Sequence, residues 1–335
     1  MSSDIGVVGA GGWGTALAKI LADTGERVTL WCHGADSFRQ MVETRENRAY
    51  LAGISLPAEL TVTQSLGETV SNKRLVICAV PSHVVREVFS RAMDDLAQTT
   101  MILCGTKGLE EGSLKTMGEL FVDLLGAGRK KNLAFLSGPT FALEVARMLP
   151  AAVTVAAADE SIAKSIQQIL STQNFRVYTS ADVIGVQIGG VVKNVIAIAA
   201  GISDGLSLGH NARAALITRG LAEMTRLAVR MKADPLTLAG LPGLGDLILT
   251  CTGDLSRNRA VGLQIARGRS LHEITASTRT VAEGVRNTRS LYALAERLGV
   301  DMPIVGQMYQ VLYAGKEPAD AVRDLMLRSL KPEAG

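Results

Sequence analysis

The sequence predicts a doubly wound α/β domain followed by an all-α domain, with the change near residue 180. Three observations predict it. Short apolar runs alternate with helical patterns from residue 4 to about 178, a glycine-rich turn "GAGGWG" joins the first run to the first helix, and after Ser180 only helical periodicity continues. Apolar runs without two-residue alternation suit strands covered on both faces, and the intervening helices supply the cover.

The strand candidates are "IGVVG" (5–9), "RVTLW" (27–31), "LTVT" (60–63), "RLVICAV" (74–80), "TMILCG" (100–105), "NLAFLS" (132–137), "AAVTVAA" (151–157) and "FRVYTS" (175–180). Ligands of such sheets bind beyond the carboxyl ends of the strands, which directs attention to "GAGGWG", "AVPSH", "CGTKG" and "SGPT". Residues 1–180 are read as a dinucleotide-binding domain and 181–335 as a helical substrate and catalytic domain. In the second, Ser180 and Asp182 suit the N-cap and first-turn acid of a long apolar helix. Further helical patterns run over about 211–232, from Asp234–Pro235, and over about 256–267, 281–298 and 303–314.

A chain of 335 residues that is 47% hydrophobic can bury a sizeable core, and its length favours two domains. A net charge of +3 with no long basic run gives no motive for binding nucleic acid or a membrane surface. "GRKK" at Gly128–Lys131 reads as a solvated loop. Cys32, Cys78, Cys104 and Cys251 are widely spaced without a CxxC, so no metal and no disulfide framework is expected, which suits a reducing compartment. "MSSDIGVVG" has no charged leader, and the apolar stretch around Val183–Ile202 is broken by Gln187, Lys193 and Asn194, which argues against a membrane span. A cytoplasmic protein is expected.

Gly9, Gly11 and Gly14 have GxGxxG spacing between a strand and a helix. The first permits the tight turn, the second lets a pyrophosphate approach the backbone, and the third lets helix and strand pack closely. Dinucleotide binding follows, with the phosphates at the helix N-terminus. The second strand ends "LWCHGAD", with no acid at its tip to hold ribose hydroxyls. Asp36, the first candidate, suits a cap of the next helix, whereas His33 and Arg39 suit a 2′-phosphate. NADPH is therefore expected to serve at least as well as NADH.

"GGVVKNVIAIAAG" (189–201) sets one ammonium in an apolar helix. Positions 185, 189, 193, 197 and 201 share a stripe that reads Gly, Gly, Lys, Ala, Gly. Three glycines on one face, each costing about 1 kcal/mol in a helix, imply close approach of another backbone or a ligand. The bare stripe is expected to admit cofactor and substrate to Lys193. Lys107 in "CGTKG" and Thr140 in "SGPT" lie past strand ends, where ligand groups gather. In "GLPGLGDLILTCTGDLSRNR", Asp246 follows three closely spaced glycines, and Ser256, Arg257, Asn258 and Arg259 offer either a solvated helix start capped by Ser256 or phosphate recognition.

With these residues assembled, the chain resembles the bacterial NAD(P)-dependent glycerol-3-phosphate dehydrogenases along essentially its whole length. The matching segments include "GAGGWGTALA", "RENRAYLAGISLP", "AVPSHVVREV", "TKGLE", "SGPTFALEVA", "GGVVKNVIAIAAG", "GLGDL", "SRNR" and "VAEGVRN". The resemblance implies a Rossmann-like domain plus a helical domain, usually a homodimer, that reversibly reduces dihydroxyacetone phosphate to sn-glycerol 3-phosphate for glycerophospholipid synthesis. Carried onto this sequence, it makes Lys193 the catalytic acid/base, with Lys107 and Asp246 beside it. Substrate contacts fall on Lys107, Gly138, Thr140, Lys193, Asp246, Ser256, Arg257 and Asn258. Cofactor contacts fall on Gly9, Gly11, Gly12, Trp13, Gly14, His33, Lys107, Ala142, Arg257, Val281 and Glu283. The chain departs from the family at Gly12, commonly serine, and at His33, frequently arginine. Two other readings are a related lysine-dependent β-hydroxy-acid dehydrogenase and a non-catalytic NAD(P)-binding sensor.

Overall fold

A computed structural model of the chain describes residues 4–277, 282–330, 332 and 333. Its eight expected strands form one sheet: β1 (Asp4–Val8), β2 (Arg27–Trp31), β3 (Leu60–Thr63), β4 (Leu75–Cys78), β5 (Met101–Cys104), β6 (Leu133–Ser137), β7 (Ala151–Ala157) and β8 (Phe175–Ser180). The order is β3-β2-β1-β4-β5-β6-β7-β8. The first six strands are parallel, β7 runs antiparallel to β6, and β8 is parallel to β7. The chain leaves β1 toward β2 on one side and returns as β4 on the other, so a crevice opens beyond their carboxyl ends.

β4, β5 and β6 are buried at every position, as strands with two covered faces should be. β8 differs: Phe175 and Val177 are buried, while Arg176 and Tyr178 face solvent, because this strand closes an edge of the sheet. Two apolar clusters pack against the sheet, one including Leu17 and Leu21 of the helix Gly12–Asp23 and the other including Phe89 and Phe121, which meet edge to face.

Beyond β8, the helix Val183–Gly205 forms the axis of a third cluster, with helices Gly209–Arg230, Arg257–Ala266, Glu283–Leu298 and Pro303–Tyr313 around it. This helix is long and apolar enough to cross a membrane, with a mean hydropathy of 1.8, yet 83% of its most apolar window is buried inside the protein. Its N-cap is Asp182, which accepts from the Gly185 N–H at 2.8 Å, rather than Ser180, whose hydroxyl accepts from the Asp182 N–H. Ser256 and Asp234 cap their helices, with Pro235 in the first turn of the latter. The short helices Leu271–Ser277 and Pro318–Met326 had no clear sequence signal.

"GRKK" is only partly solvated. Arg129 is buried and donates to Ala97 O at 2.7 Å and Leu96 O at 3.5 Å, stapling the short helical segment Ala127–Asn132 to the turn before β5. All four cysteines are free and buried, and among the described residues no His, Cys, Asp and Glu cluster could hold a metal.

Candidate active site

The glycine stripe on the lysine helix is covered by backbone at Gly189 and Gly201 and by the Asp182 and Thr237 side chains at Gly185. A Cβ on Gly189 would lie 2.3 Å from Pro242 O, and one on Gly201 would lie 2.0 Å from Arg259 O. The expected bare approach for a ligand is therefore closed along this stripe, because two neighbouring segments of main chain lie against it. The same closeness has a chemical result. The wide turn Leu241–Gly245 and the helix Asp246–Thr252 are held hard against Lys193, and Asp246 enters the core at the head of that helix.

Asp246 is fully buried and divides its two oxygens between two lysines. Oδ1 accepts from Lys193 Nζ, and Oδ2 accepts from Lys107 Nζ at 2.6 Å. Lys193 also donates to Thr250 Oγ1 at 2.9 Å, and that hydroxyl donates to Asp246 O at 2.6 Å. Lys107 reaches Gly138 O at 3.3 Å. Gly138 has φ +151° and no room for a side chain, since a Cβ would lie 2.9 Å from Val153 Cα. An ammonium has three N–H donors. Each lysine thus keeps one that no described residue accepts.

Burial pushes the Lys193 ammonium down from its ordinary 10.5 to about 8, with the charge of Lys107 helping and that of Asp246 opposing. Burial pushes Asp246 the other way, but the two lysines outweigh it and hold the carboxyl below its ordinary range. Two ammonium groups and one carboxylate leave a net positive centre, suited to an anionic ligand.

Arg257 begins the helix beside this centre. It is exposed, and among the described residues none accepts a hydrogen bond from its guanidinium. Ser256 and Asn258 are more occupied. The Ser256 hydroxyl caps the helix through Arg259 N at 3.2 Å, while Asn258 donates to Asn194 Oδ1 at 2.9 Å and accepts from Gly284 N at 3.0 Å. One N–H of Asn258 remains. Thr140 turns its hydroxyl to Gly138 O at 3.3 Å.

The glycine turn fits a dinucleotide. Gly9 has φ +117°, and a Cβ on Gly14 would lie 1.9 Å from Gly9 O, so both glycines serve the strand-to-helix packing. Gly11 has open space where its side chain would be, directly before the first helical turn, which is the cradle a pyrophosphate requires. Ala142 lies 3.7 Å from where a Gly12 Cβ would stand. Trp13 Nε1 is buried beside Gly105 and has no partner among the described residues. His33 is exposed just past β2 and tilts against Trp31, whereas Arg39 is paired with Asp36 at 2.7 Å. Glu283 accepts from Ser82 N at 3.1 Å and Ser82 Oγ at 2.7 Å, tying the loop after β4 to the helical part. Val281 lies outside the described residues.

Family models for the N-terminus and the C-terminus of NAD-dependent glycerol-3-phosphate dehydrogenase match residues 4–163 and 182–323. The chain belongs to this dehydrogenase family. A glycerol-3-phosphate dehydrogenase [NAD(P)+] of Geobacter sp. (strain M21) is 52% identical over 99% of both chains, and that of Syntrophotalea carbinolica is 52% identical over 98% of this chain and 99% of its own. The crystal structure of glycerol-3-phosphate dehydrogenase from Coxiella burnetii superposes with a TM-score of 0.93 at 40% identity, covering 98% of this chain and 99% of that one.

Within this dehydrogenase fold, the expected residues Lys107, Lys193, Asp246 and Gly138 meet at one centre, and Gly9, Gly11, Gly12, Gly14, Trp13 and Ala142 gather at the glycine turn. Sequence reasoning missed Thr250, Ser82 and Asn287. Thr250 had a usable signal, since it stands one helical turn after Asp246. Ser82 and Asn287 lie within the quoted segments "AVPSH" and "VAEGVRN", but their bonds cross the boundary between sheet and helices, which no local pattern shows.

Proposed function

We propose that this dehydrogenase reversibly reduces dihydroxyacetone phosphate to sn-glycerol 3-phosphate, with Lys193 as the acid, and so supplies the backbone of glycerophospholipids. The observation that carries the reading is the shared Asp246 carboxylate, which holds two ammonium groups at the carboxyl end of the sheet with a spare N–H on each. Bound NAD(P)H supplies a hydride to the ketone carbon. Lys193 donates the proton to the carbonyl oxygen as that oxygen gains negative charge, becomes a neutral amine, and recovers a proton from solvent before the next turnover. Asp246 and Thr250 fix the direction of its N–H groups, and the Lys107 charge stabilises the same oxygen.

Arg257, whose guanidinium no described residue accepts from, takes the substrate phosphate, with Ser256, Asn258 and Thr140 lining the remainder. Gly9, Gly11, Gly12, Trp13 and Gly14 hold the pyrophosphate side of the cofactor, and His33, Ala142 and Glu283 complete its site. With no acid at the tip of β2, NADPH serves at least as well as NADH; a tenfold or greater advantage of NADH in kcat/KM, roughly 1.4 kcal/mol, overturns that part. We place the enzyme in the cytoplasm, as a homodimer. The hydroxy-acid and sensor readings are not favoured, since full-length relatives at 52% identity are named for glycerol 3-phosphate.

The test is the loss of nicotinamide absorbance on mixing protein, dihydroxyacetone phosphate and NADPH or NADH, with Lys193→Ala alongside. Wild type is expected to oxidise the cofactor rapidly and the variant to lose at least about 100-fold in kcat. A folded, cofactor-binding wild type that oxidises nothing overturns the proposal.

A further inference from the structure

The loop that carries Lys107 is gripped from the side opposite its ammonium. Asn287, on the helix Glu283–Leu298, is 1% exposed and meets this loop with both ends of its amide. Nδ2 donates to Lys107 O at 3.2 Å, and Oδ1 accepts from Leu109 N at 3.4 Å. One amide thus binds the main chain on both sides of Gly108, as a backbone unit of an adjacent strand does. Gly108 itself leaves no gap. A Cβ there would lie 2.4 Å from Ser82 Cβ and 3.1 Å from Asn287 Oδ1.

The same helical turn is anchored on its other sides. Gly284 N donates to Asn258 Oδ1 at 3.0 Å, and a Cβ on Gly284 would lie 2.5 Å from Asn194 O, the residue after Lys193. Glu283, one turn before Asn287, binds Ser82. A single turn therefore touches the loop after β4, the loop after β5, the lysine helix and the helix of Arg257.

We infer that Asn287 is a positioning residue for Lys107, fixing the main chain from which that lysine reaches Asp246 and the substrate. The inference rests on Lys107 belonging to the active site. Both Asn287 bonds end on the peptide units flanking Gly108, and the Lys107 side chain spans from there to a 2.6 Å bond with Asp246. A shift of about 1 Å in that main chain breaks this bond or bends it, a displacement that costs on the order of 100-fold when it reaches reacting groups.

The experiment is a double-mutant cycle of Asn287→Ala and Lys107→Ala. It reads single-turnover rates and kcat/KM for dihydroxyacetone phosphate, NADPH affinity by fluorescence, and the thermal midpoint. Asn287→Ala is expected to lower kcat/KM by about 10- to 100-fold with NADPH affinity changed less than about threefold, and to have less than about a threefold effect once Lys107 is alanine. Asn287→Asp keeps the acceptor for Leu109 and loses the donor for Lys107. It is expected to fall between wild type and Asn287→Ala, and it completes the cycle if the alanine variant does not fold. An equal fold-loss with and without Lys107 marks a general structural role and overturns the inference, as does full activity of both Asn287 variants. Wild-type activity of Lys107→Ala alone refutes the reading of the site instead, so the two failures are distinct.

Discussion

Lys107 and Lys193 bind opposite oxygens of one carboxylate, that of Asp246, in a site where Asp246 is fully buried and Lys193 nearly so. Two cations and one anion in a dry setting make each charge sensitive to the other two. The ammonium that loses most from burial is the one best placed to give up a proton.

The pH dependence follows with a definite sign. With Lys193 as the proposed acid, reduction of the ketone requires it protonated, so kcat/KM in that direction is expected to fall as pH rises through about 8, while oxidation of the alcohol, which requires the neutral amine, rises over the same range. Asp246→Asn removes the charge that opposes deprotonation. Its reductive profile is expected to break at lower pH than wild type, with a loss of about 100-fold or more at neutral pH. A break that stays in place or moves upward contradicts the pairing as a control of Lys193.

Substitutions at Gly11 and Gly14 are expected to separate cofactor binding from folding. A Cβ on Gly11 meets no atom of the described residues within 4 Å, whereas one at Gly14 meets Gly9 O at 1.9 Å. Gly11→Ala is therefore expected to leave the thermal midpoint unchanged and to raise KM for NAD(P)H by roughly tenfold, through encroachment on the pyrophosphate. Gly14→Ala is expected to lower the midpoint itself. Thermal melts beside cofactor titrations check both, and an unaltered KM in Gly11→Ala would remove that residue from the cofactor site.

Arg257 offers the complementary case. No described residue accepts a hydrogen bond from its guanidinium, so Arg257→Ala is expected to leave stability within about 0.5 kcal/mol of wild type. The loss is expected in kcat/KM for dihydroxyacetone phosphate, by about 100-fold, with a smaller penalty for a substrate that lacks the phosphate. Steady-state kinetics with both substrates would show an equal penalty if Arg257 does not contact the phosphate.

Glu223 lies away from this chemistry. It is 1% exposed and accepts from Ile304 N at 2.8 Å and Val305 N at 3.3 Å, capping the helix Pro303–Tyr313 from the helix Gly209–Arg230. Burial raises its carboxyl from the ordinary 4.5 to about 7, against the two backbone donors and Arg226, with Asp301 adding to the rise. The folded state then binds a proton that the unfolded state has released. This stabilisation is complete below 4.5 and lost as pH rises through about 7, on the order of 3 kcal/mol at most. Glu223→Gln is expected to flatten the stability profile between those values. Urea unfolding at pH 5 and pH 8 measures it, and parallel profiles for the two proteins contradict the assignment.

The sequence was legible wherever a signal lay inside one element. The GxGxxG spacing belongs to one strand-to-helix turn, and the glycine stripe of Lys193 belongs to one helix, so both could be read from periodicity and conformational cost. The apolar runs located all eight strands for the same reason. The stripe showed that something approaches closely, but a passing main chain and a ligand require the same missing side chains. Arg129 looked solvated among its neighbours because its acceptors are carbonyls more than thirty residues earlier.

By itself, then, the sequence determined the α/β and all-α classes, the glycine-rich strand-to-helix turn and the two lysines and aspartate that carry charge. Tertiary structure decided their union. Lys193 and Asp246 are 53 residues apart, Lys107 and Asp246 139, and Asn287 reaches Lys107 O across 180. It also decided the reversal of β7, the covering of Gly189 and Gly201 by the main chain at Pro242 and Arg259, and the depth of burial that brings an ammonium to about 8. Periodicity reports the face an element hides, whereas proximity and desolvation depend on which other element comes to cover it.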